Sequence, residues 1–306
     1  MNKQQGFTLI ELMIASLIGL IIMGGMMNLF ITTNRSVALS DALSQNQETG
    51  RFAMDYLTKY VRLAGYSEDF TIDSPPLFLM AGACTAGIEA AEDKVEYACS
   101  ENNPRTGTEP EDRVVLGDRL AIPFVASADA ETRSCTGRIV GGAANGQQSL
   151  VNVFWVDNDT GDDDPLLNSY RELRCRTYSR DNNAWLDDRS VSLITNVEGL
   201  EFQVGIAADK TSKYASTYVN VTRLQAGSLF DGTLIDMNNV RSIRIALLTT
   251  SMDSLDENKI QSNIRKRIFG VLDAPHDTYT FTDGSLRNIF SNTIELPNMI
   301  EGSGSN

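Results

Sequence analysis

The chain has 306 residues, with 26 Lys and Arg against 40 Asp and Glu for a formal charge of −14, one His and four Cys. That balance is unsuited to duplex DNA, whose phosphates reward clustered Lys and Arg, and it is repelled by an anionic membrane surface, so no direct nucleic-acid binding is expected. The single His, at position 276, excludes a His-rich metal cluster and leaves a Ser-His-Asp or Cys-His hydrolase only that residue to be built on.

In chain order, the hydrophilic hexapeptide Met1 to Gly6 precedes a 25-residue apolar run, Phe7 to Ile31, whose one charge is Glu11. At about 1.5 Å per residue the run measures about 37 Å as a helix, enough to cross a hydrocarbon core of about 30 Å. Lys3 in front keeps this end in the cytoplasm and sends the following chain across. A secretory signal peptide fits poorly, because its apolar core is about 7 to 15 residues and ends at a small-residue cleavage site, which Met26-Met27-Asn28-Leu29-Phe30 does not provide. A plain signal anchor accounts for the span but not for Glu11, since a charge deep in the bilayer costs about 2.5 to 3.5 kcal/mol on insertion scales. Glu11 needs a partner.

Gly6-Phe7-Thr8-Leu9-Ile10-Glu11, between a short polar leader and an apolar span, resembles the type III signal of type IV pilins and type II secretion pseudopilins. The resemblance implies that a prepilin peptidase cuts between Gly6 and Phe7, that Phe7 becomes the N-methylated terminus, and that Glu11 is the assembly carboxylate. Physical chemistry is consistent with that role. A carboxylate among apolar helices is stabilised by an adjacent cation, and the free amino group of Phe7, on the same or a neighbouring subunit, is the nearest candidate.

Helical signal continues from Arg51 to Tyr66, where Ala53, Tyr56, Leu57, Tyr60, Val61 and Ala64 form a stripe at the 3.6-residue period, and Gly65 stands where a C-terminal cap is expected. The polar stretch Asn46 to Gly50 reads as a frayed or exposed part of one long helix, or as the break between two helices. Beyond residue 67 helical periodicity is lost. Candidate strands are Arg113 to Leu116, Leu120 to Phe124, Leu150 to Val156, Gly199 to Ile206, Tyr218 to Leu224, Val240 to Leu248 and Thr278 to Phe281. Turn clusters separate them: Thr106 to Pro110, Gly141 to Gly146 and Asp157 to Pro165. Strands in series after one helix predict an α+β fold, an antiparallel sheet packed on that helix. The expected divisions are a cleaved leader at 1–6, a membrane-spanning half-helix at 7–31, an amphipathic half-helix at 32–66 and a β-rich head outside the cytoplasm at 67–306.

Within the superfamily, the stretches Arg51 to Tyr66, Val197 to Ile206, Val240 to Leu248 and Leu286-Arg287-Asn288 are similar to PilW-type minor pilins. That resemblance implies a pilin fold and a subunit that primes type IV pilus assembly and stays at or near the tip, supporting twitching motility, adhesion or DNA uptake. It implies no catalysis by the subunit. The implied partners are other minor pilins, the major pilin, the prepilin peptidase, the inner-membrane assembly platform, a tip adhesin and the lipid bilayer. The implied location is the inner membrane of a Gram-negative cell, with a periplasmic head, then the pilus tip. Asn28 stands where many major pilins carry a kinking Pro, leaving Gly24 and Gly25 to supply flexibility. A large minor pseudopilin of a secretion-system tip, or a membrane-tethered adhesin or enzyme, are the alternative readings.

All four Cys, Cys84, Cys99, Cys135 and Cys175, lie in the head, and an even count in an oxidising compartment favours disulfides. Short loops close at lower entropic cost, which favours Cys84 with Cys99 and Cys135 with Cys175 over the other two connectivities. Zinc is the rival, without a C-x-x-C spacing to support it. Asp157, Asp159 and Asp162 offer oxygen ligands for calcium, but Gly161 and Asn168 fall where an EF-hand loop wants ligands, so a solvated acidic turn is the favoured reading and no cofactor is expected. Gly141 to Gly146 lacks the Lys-Ser/Thr of a phosphate loop, His276 reads as an exposed loop residue, and Gly302 to Asn306 as a disordered tail.

Overall fold

The computed structural model describes residues 8–66, 77, 99–100, 117–158, 171–221, 229–230, 233–234, 237–251, 266–267, 278–279 and 285–299. One helix, α1, runs unbroken from Leu9 to Val61, 53 residues or about 80 Å at the standard rise. It settles the choice between one helix and two. Its side chains are exposed through residue 41 and begin to be buried at Ala42, so about 50 Å of helix stands clear of the head.

Strands of a first group follow α1: β1 (Leu120–Ala126), β2 (Glu131–Arg133), β3 (Ile139–Gly141), β4 (Gln148–Asn158), β5 (Arg171–Ser179), β6 (Ala184–Trp185) and β7 (Val191–Thr195). The second group is β8 (Val197–Ile206), β9 (Thr217–Val219), β10 (Leu229–Phe230), β11 (Thr233–Leu234), β12 (Val240–Thr250), β13 (Lys266–Arg267), β14 (Thr278–Tyr279) and β15 (Arg287–Glu295). Where the sequence predicts one sheet on the helix, the described residues form two larger antiparallel sheets besides the two-stranded ladders β2-β3, β10-β11 and β13-β14. The first has the order β1-β4-β5-β6 with β7 also on β5; the second has the order β15-β12-β8-β9. A parallel bridge from Gly117 to Leu200 joins them. Gly117 has φ +69°, and a Cβ there would lie 2.1 Å from the Leu200 carbonyl oxygen, so only glycine permits this crossing.

The predicted stripe of α1 is the helix's contribution to the main core. Ala53, Leu57, Tyr60, Val61 and Ala64 pack with Leu120, Ile122, Phe154 and Leu173 of the first sheet and with Leu200, Phe202, Ile243, Ile245 and Leu247 of the second. The helix ends one turn before the predicted boundary: its C-cap is Arg62, and Gly65, at φ +71°, reverses the chain. Asn298 closes the end by donating from Nδ2 to the Arg62 and Ala64 carbonyls at 3.0 and 3.1 Å.

Asn46 to Gly50 is not frayed but part of the continuous helix, and although Gln47 and Glu48 are exposed, Asn46 and Gly50 are buried against the head. Asn46 is fully buried, donates from Nδ2 to the carbonyls of Leu286 (3.0 Å) and Thr249 (3.4 Å), and accepts from the Thr249 hydroxyl. One turn on, a Cβ at Gly50 would sit 2.1 Å from the Phe290 ring. Glycine is what lets the helix axis come that close to β15. Of the predicted strands, Tyr218 to Leu224 is shorter than expected: β9 ends at Val219 and Val221 is helical. Arg113 to Leu116 lies outside the described residues. The turn at Gly141 to Gly146 is present, with positive φ at Gly141, Gly142 and Gly146.

Gly50→Ala gains about 1 kcal/mol of helix propensity, yet the clash with Phe290 costs about 1 to 3 kcal/mol. The variant is expected to melt below the wild type, and Phe290→Leu, which opens space under the new methyl, is expected to recover part of the loss in a double-mutant cycle.

Candidate assembly site

At the front of α1, Thr8 is the N-cap and Glu11 occupies the third helical position, completing a capping box. The Glu11 Oε2 accepts from the Thr8 backbone N–H (3.0 Å) and hydroxyl (2.9 Å), while the Glu11 N–H donates back to Thr8 Oγ1 (3.4 Å). Its carboxylate also lies at the positive end of the helix dipole, which lowers the cost of a charge there. Among the described residues only Oε2 is used in this way, and Oε1 has no partner. Gly6 and Phe7, the expected cleavage and methylation positions, lie outside the described residues.

From Leu9 to Ile31 the apolar side chains are exposed, and the most apolar 18-residue window has a mean hydropathy of 2.2 with none of it buried. Polar side chains in and just after this stretch turn back onto the helix's own carbonyls: Ser16 to Met13, Asn28 to Gly24, Thr32 to Asn28 and Thr33 to Leu29. Each of these hydroxyls, and one of the two Asn28 amide protons, thereby finds an acceptor without water, as suits a lipid-facing or helix-packed surface. The backbone stays helical through Gly24, Gly25 and Asn28.

At the other end, two tyrosines bolt the helix to the head. Tyr56 donates its hydroxyl to the Cys135 carbonyl at 2.7 Å and Tyr60 to the Ser134 carbonyl at 3.1 Å. Those acceptors are held by the Cys135–Cys175 disulfide, which spans 40 residues, and by Asn152, whose Oδ1 accepts from the Cys135 N–H and the Thr177 hydroxyl. Burial, and then the neighbouring Tyr60 hydroxyl, push the Tyr56 phenol far above its ordinary value. The 135–175 pairing is the one that loop entropy favours. Cys99 is also disulfide-bonded and buried, with Arg119 Nε donating to its carbonyl at 2.8 Å; Cys84 lies outside the described residues.

The remaining candidates do not gather into a site. Asp157 is not the start of a loop: its backbone pairs with Glu172 inside the β4–β5 ladder. Asp159, Asp162, His276 and the Gly302 to Asn306 tail lie outside the described residues. Sequence reasoning missed Asn46, and it treated Tyr56 and Tyr60 as apolar stripe, although a tyrosine on a buried stripe usually finds a partner for its hydroxyl.

Residues 1–27 match the model of the prokaryotic N-terminal methylation motif, and together with the exposed apolar helix this fits a membrane-anchored pilin. Residues 153–298, which take in β5 to β15, match the model described as type IV pilus-assembly protein W, so just under half of the chain is similar to that family. Among solved structures, a type IV-like pilin from Thermus thermophilus is similar at 15% identity and a TM-score of 0.31, over 60% of this chain and 80% of that one. No curated protein matches the chain.

Two predictions follow from the bolt. Replacing Cys135 and Cys175 by Ala is expected to cost about 2 to 4 kcal/mol of head stability, read by chemical denaturation. Tyr56 has a folded-state pKa above its unfolded value, so its contribution is complete below pH about 10 and is lost as pH rises further. Tyr56→Phe is expected to flatten the stability profile above that pH.

Proposed function

We propose that this minor pilin helps to prime type IV pilus assembly and remains at or near the pilus tip, supporting pilus biogenesis and the motility, adhesion or DNA uptake that depend on it. The observation that carries this reading is the division of α1: residues 9–41 are exposed along their length, whereas residues from Ala42 onward are welded into the head. An exposed stalk of that length, apolar as far as Ile31, packs among the equivalent helices of other subunits, in the membrane first and in a filament afterwards. The head, about 240 residues, is bulky for a position repeated at every step of a fibre, and a tip position removes the crowding.

On this reading the prepilin peptidase removes residues 1–6, Phe7 is methylated, and the new amino terminus meets the open side of the Glu11 carboxylate on the same or an adjacent subunit. That ion pair offsets the cost of a carboxylate among apolar helices and fixes the axial register between them. The head faces the periplasm before assembly, and its neighbours are the major pilin, other minor pilins and the inner-membrane assembly platform. The family and the fold are those of structural pilins, and the role needs no catalysis by this chain.

Substituting a bulky residue for Gly6 is expected to leave an uncleaved precursor and bare cells, whereas Glu11→Ala is expected to be cleaved but poorly incorporated. Immunoblotting of whole cells and of sheared filaments separates the two. Normal processing and normal twitching with a bulky residue at position 6 would overturn the reading. Deletion of the gene is expected to leave few or no surface pili by electron microscopy.

A further inference from the structure

Sheet edges expose unpaired N–H and C=O groups, and proteins ordinarily blunt them. Here β1 carries Pro123 and donates from Val125 to the Tyr66 carbonyl, β6 has two residues, β9 three, and β7 meets β5 with a break in register. The edge strand β15 differs. It has nine residues, no Pro or Lys, and an unbroken register with β12 from Ser242–Glu295 to Thr250–Arg287.

The phase of the β12–β15 ladder identifies which groups are bare. Just past one end, the Leu296 N–H donates to the Arg241 carbonyl at 2.8 Å; just past the other, the Ser251 N–H donates to the Leu286 carbonyl at 2.9 Å. Antiparallel residues alternate between bonded and non-bonded pairs, so Asn288, Phe290, Asn292 and Ile294 turn their backbone groups towards β12. Ile289, Ser291 and Thr293 turn theirs outward, and Ser291 and Thr293 are exposed. Among the described residues nothing pairs with this edge.

Beside the bare edge runs a groove of about 590 Å³, lined by Asn288 to Asn292 and by Gln47, Arg51, Met54 and Asp55 on one face of α1. Arg51 and Asp55 are exposed at its rim and form no ion pair with described residues.

We infer that the outer edge of β15 is a docking site for an extended strand from a neighbouring filament subunit of a different kind, added by main-chain hydrogen bonds. A row of outward donors and acceptors at a spacing of two residues is satisfied in full by another β-strand. Alternate side chains of that strand enter the groove, an apolar one against Met54 and charged ones opposite Arg51 and Asp55. The inference rests on the proposed function only for the source of the strand.

The test uses the full chain in its own cells. Ser291→Pro combined with Thr293→Pro removes two outward N–H donors and leaves the ladder to β12 intact, because edge positions whose N–H faces away tolerate proline. Asn292→Pro is the control that breaks the ladder. The double variant is expected to be processed and to keep the Cys135–Cys175 disulfide, while its recovery in sheared filaments falls about tenfold. In an otherwise wild-type chain, a benzophenone amino acid in place of Arg51 is expected to cross-link to an extended segment of another pilus subunit. Wild-type recovery of the folded double variant overturns the inference. So does a cross-link that joins two copies of this chain, one that reaches a helical segment, or none at all, and the cross-link decides alone if the proline variant misfolds. Absence of the wild-type chain from filaments would instead overturn the proposed function, and with it the source of the strand.

Discussion

Asn46 occupies a helix face that the head covers completely, and its side-chain amide meets the end of β12 and the approach to β15 through the Thr249 hydroxyl and the Thr249 and Leu286 carbonyls. A buried amide left without such partners costs about 1 to 3 kcal/mol, so this residue fixes which turn of α1 lies over which residue of the sheet. Gly50 then lets Phe290 approach the helix axis, Thr58 meets Asn292 at 3.5 Å, and Asn298 closes the helix end. The contacts fall at successive turns along one seam. A one-residue slip of α1 would turn the Asn46 amide away from its acceptors, so the seam sets both the rotation and the axial position of the stalk.

That fixed geometry matters because the other half of α1 has nothing of its own to pack on. A bare helix can pass an orientation to its neighbours only if its base is rigid, and the base is locked by hydrogen bonds as well as by apolar contact. Two buried guanidinium groups stiffen the second sheet by different means. Arg287 makes a bidentate pair with Glu198, at 2.6 and 2.8 Å, across β12. Arg241 instead donates to the carbonyls of Lys210, Ser212, Asn238 and Val240, and so ties the loop after β8 to the start of β12. Removing either partner of the first pair would leave an uncompensated buried charge, which is far costlier than never having had the pair.

The apolar parts of this architecture were legible: the span as an unbroken apolar run, the stripe from Ala53 to Ala64 by its 3.6-residue spacing, β12 by its two-residue alternation, and β1, β4 and β8 as short runs rich in apolar residues. The seam was not legible, because it is built from residues whose burial depends on a distant partner. Asn46 and Gly50 look like loop residues until Thr249 and Phe290 are brought against them. Strand β5 was missed for a related reason: its outward Arg174 and Arg176 interrupt the apolar character of Leu173 and Cys175, and their charges are accommodated by Glu172 at 3.0 Å and by the Trp185 ring at 4.7 Å. Strand β15 hides its pattern because an edge strand under a helix is apolar only where it meets the helix. At the N-terminus the motif from Gly6 to Glu11 was readable at once, since its meaning lies in a local spacing rather than in the fold.

The disulfide links the head's chemistry to its compartment. Disulfides persist in oxidising surroundings, and Cys135–Cys175 holds the loop whose carbonyls receive the Tyr56 and Tyr60 hydroxyls. Without the bond that loop would be tied down chiefly through Asn152, and the last turns of α1 would lose ordered acceptors although their apolar contacts remained. The disulfide therefore adds to a hold on α1 that the Asn46 seam and the apolar core already provide.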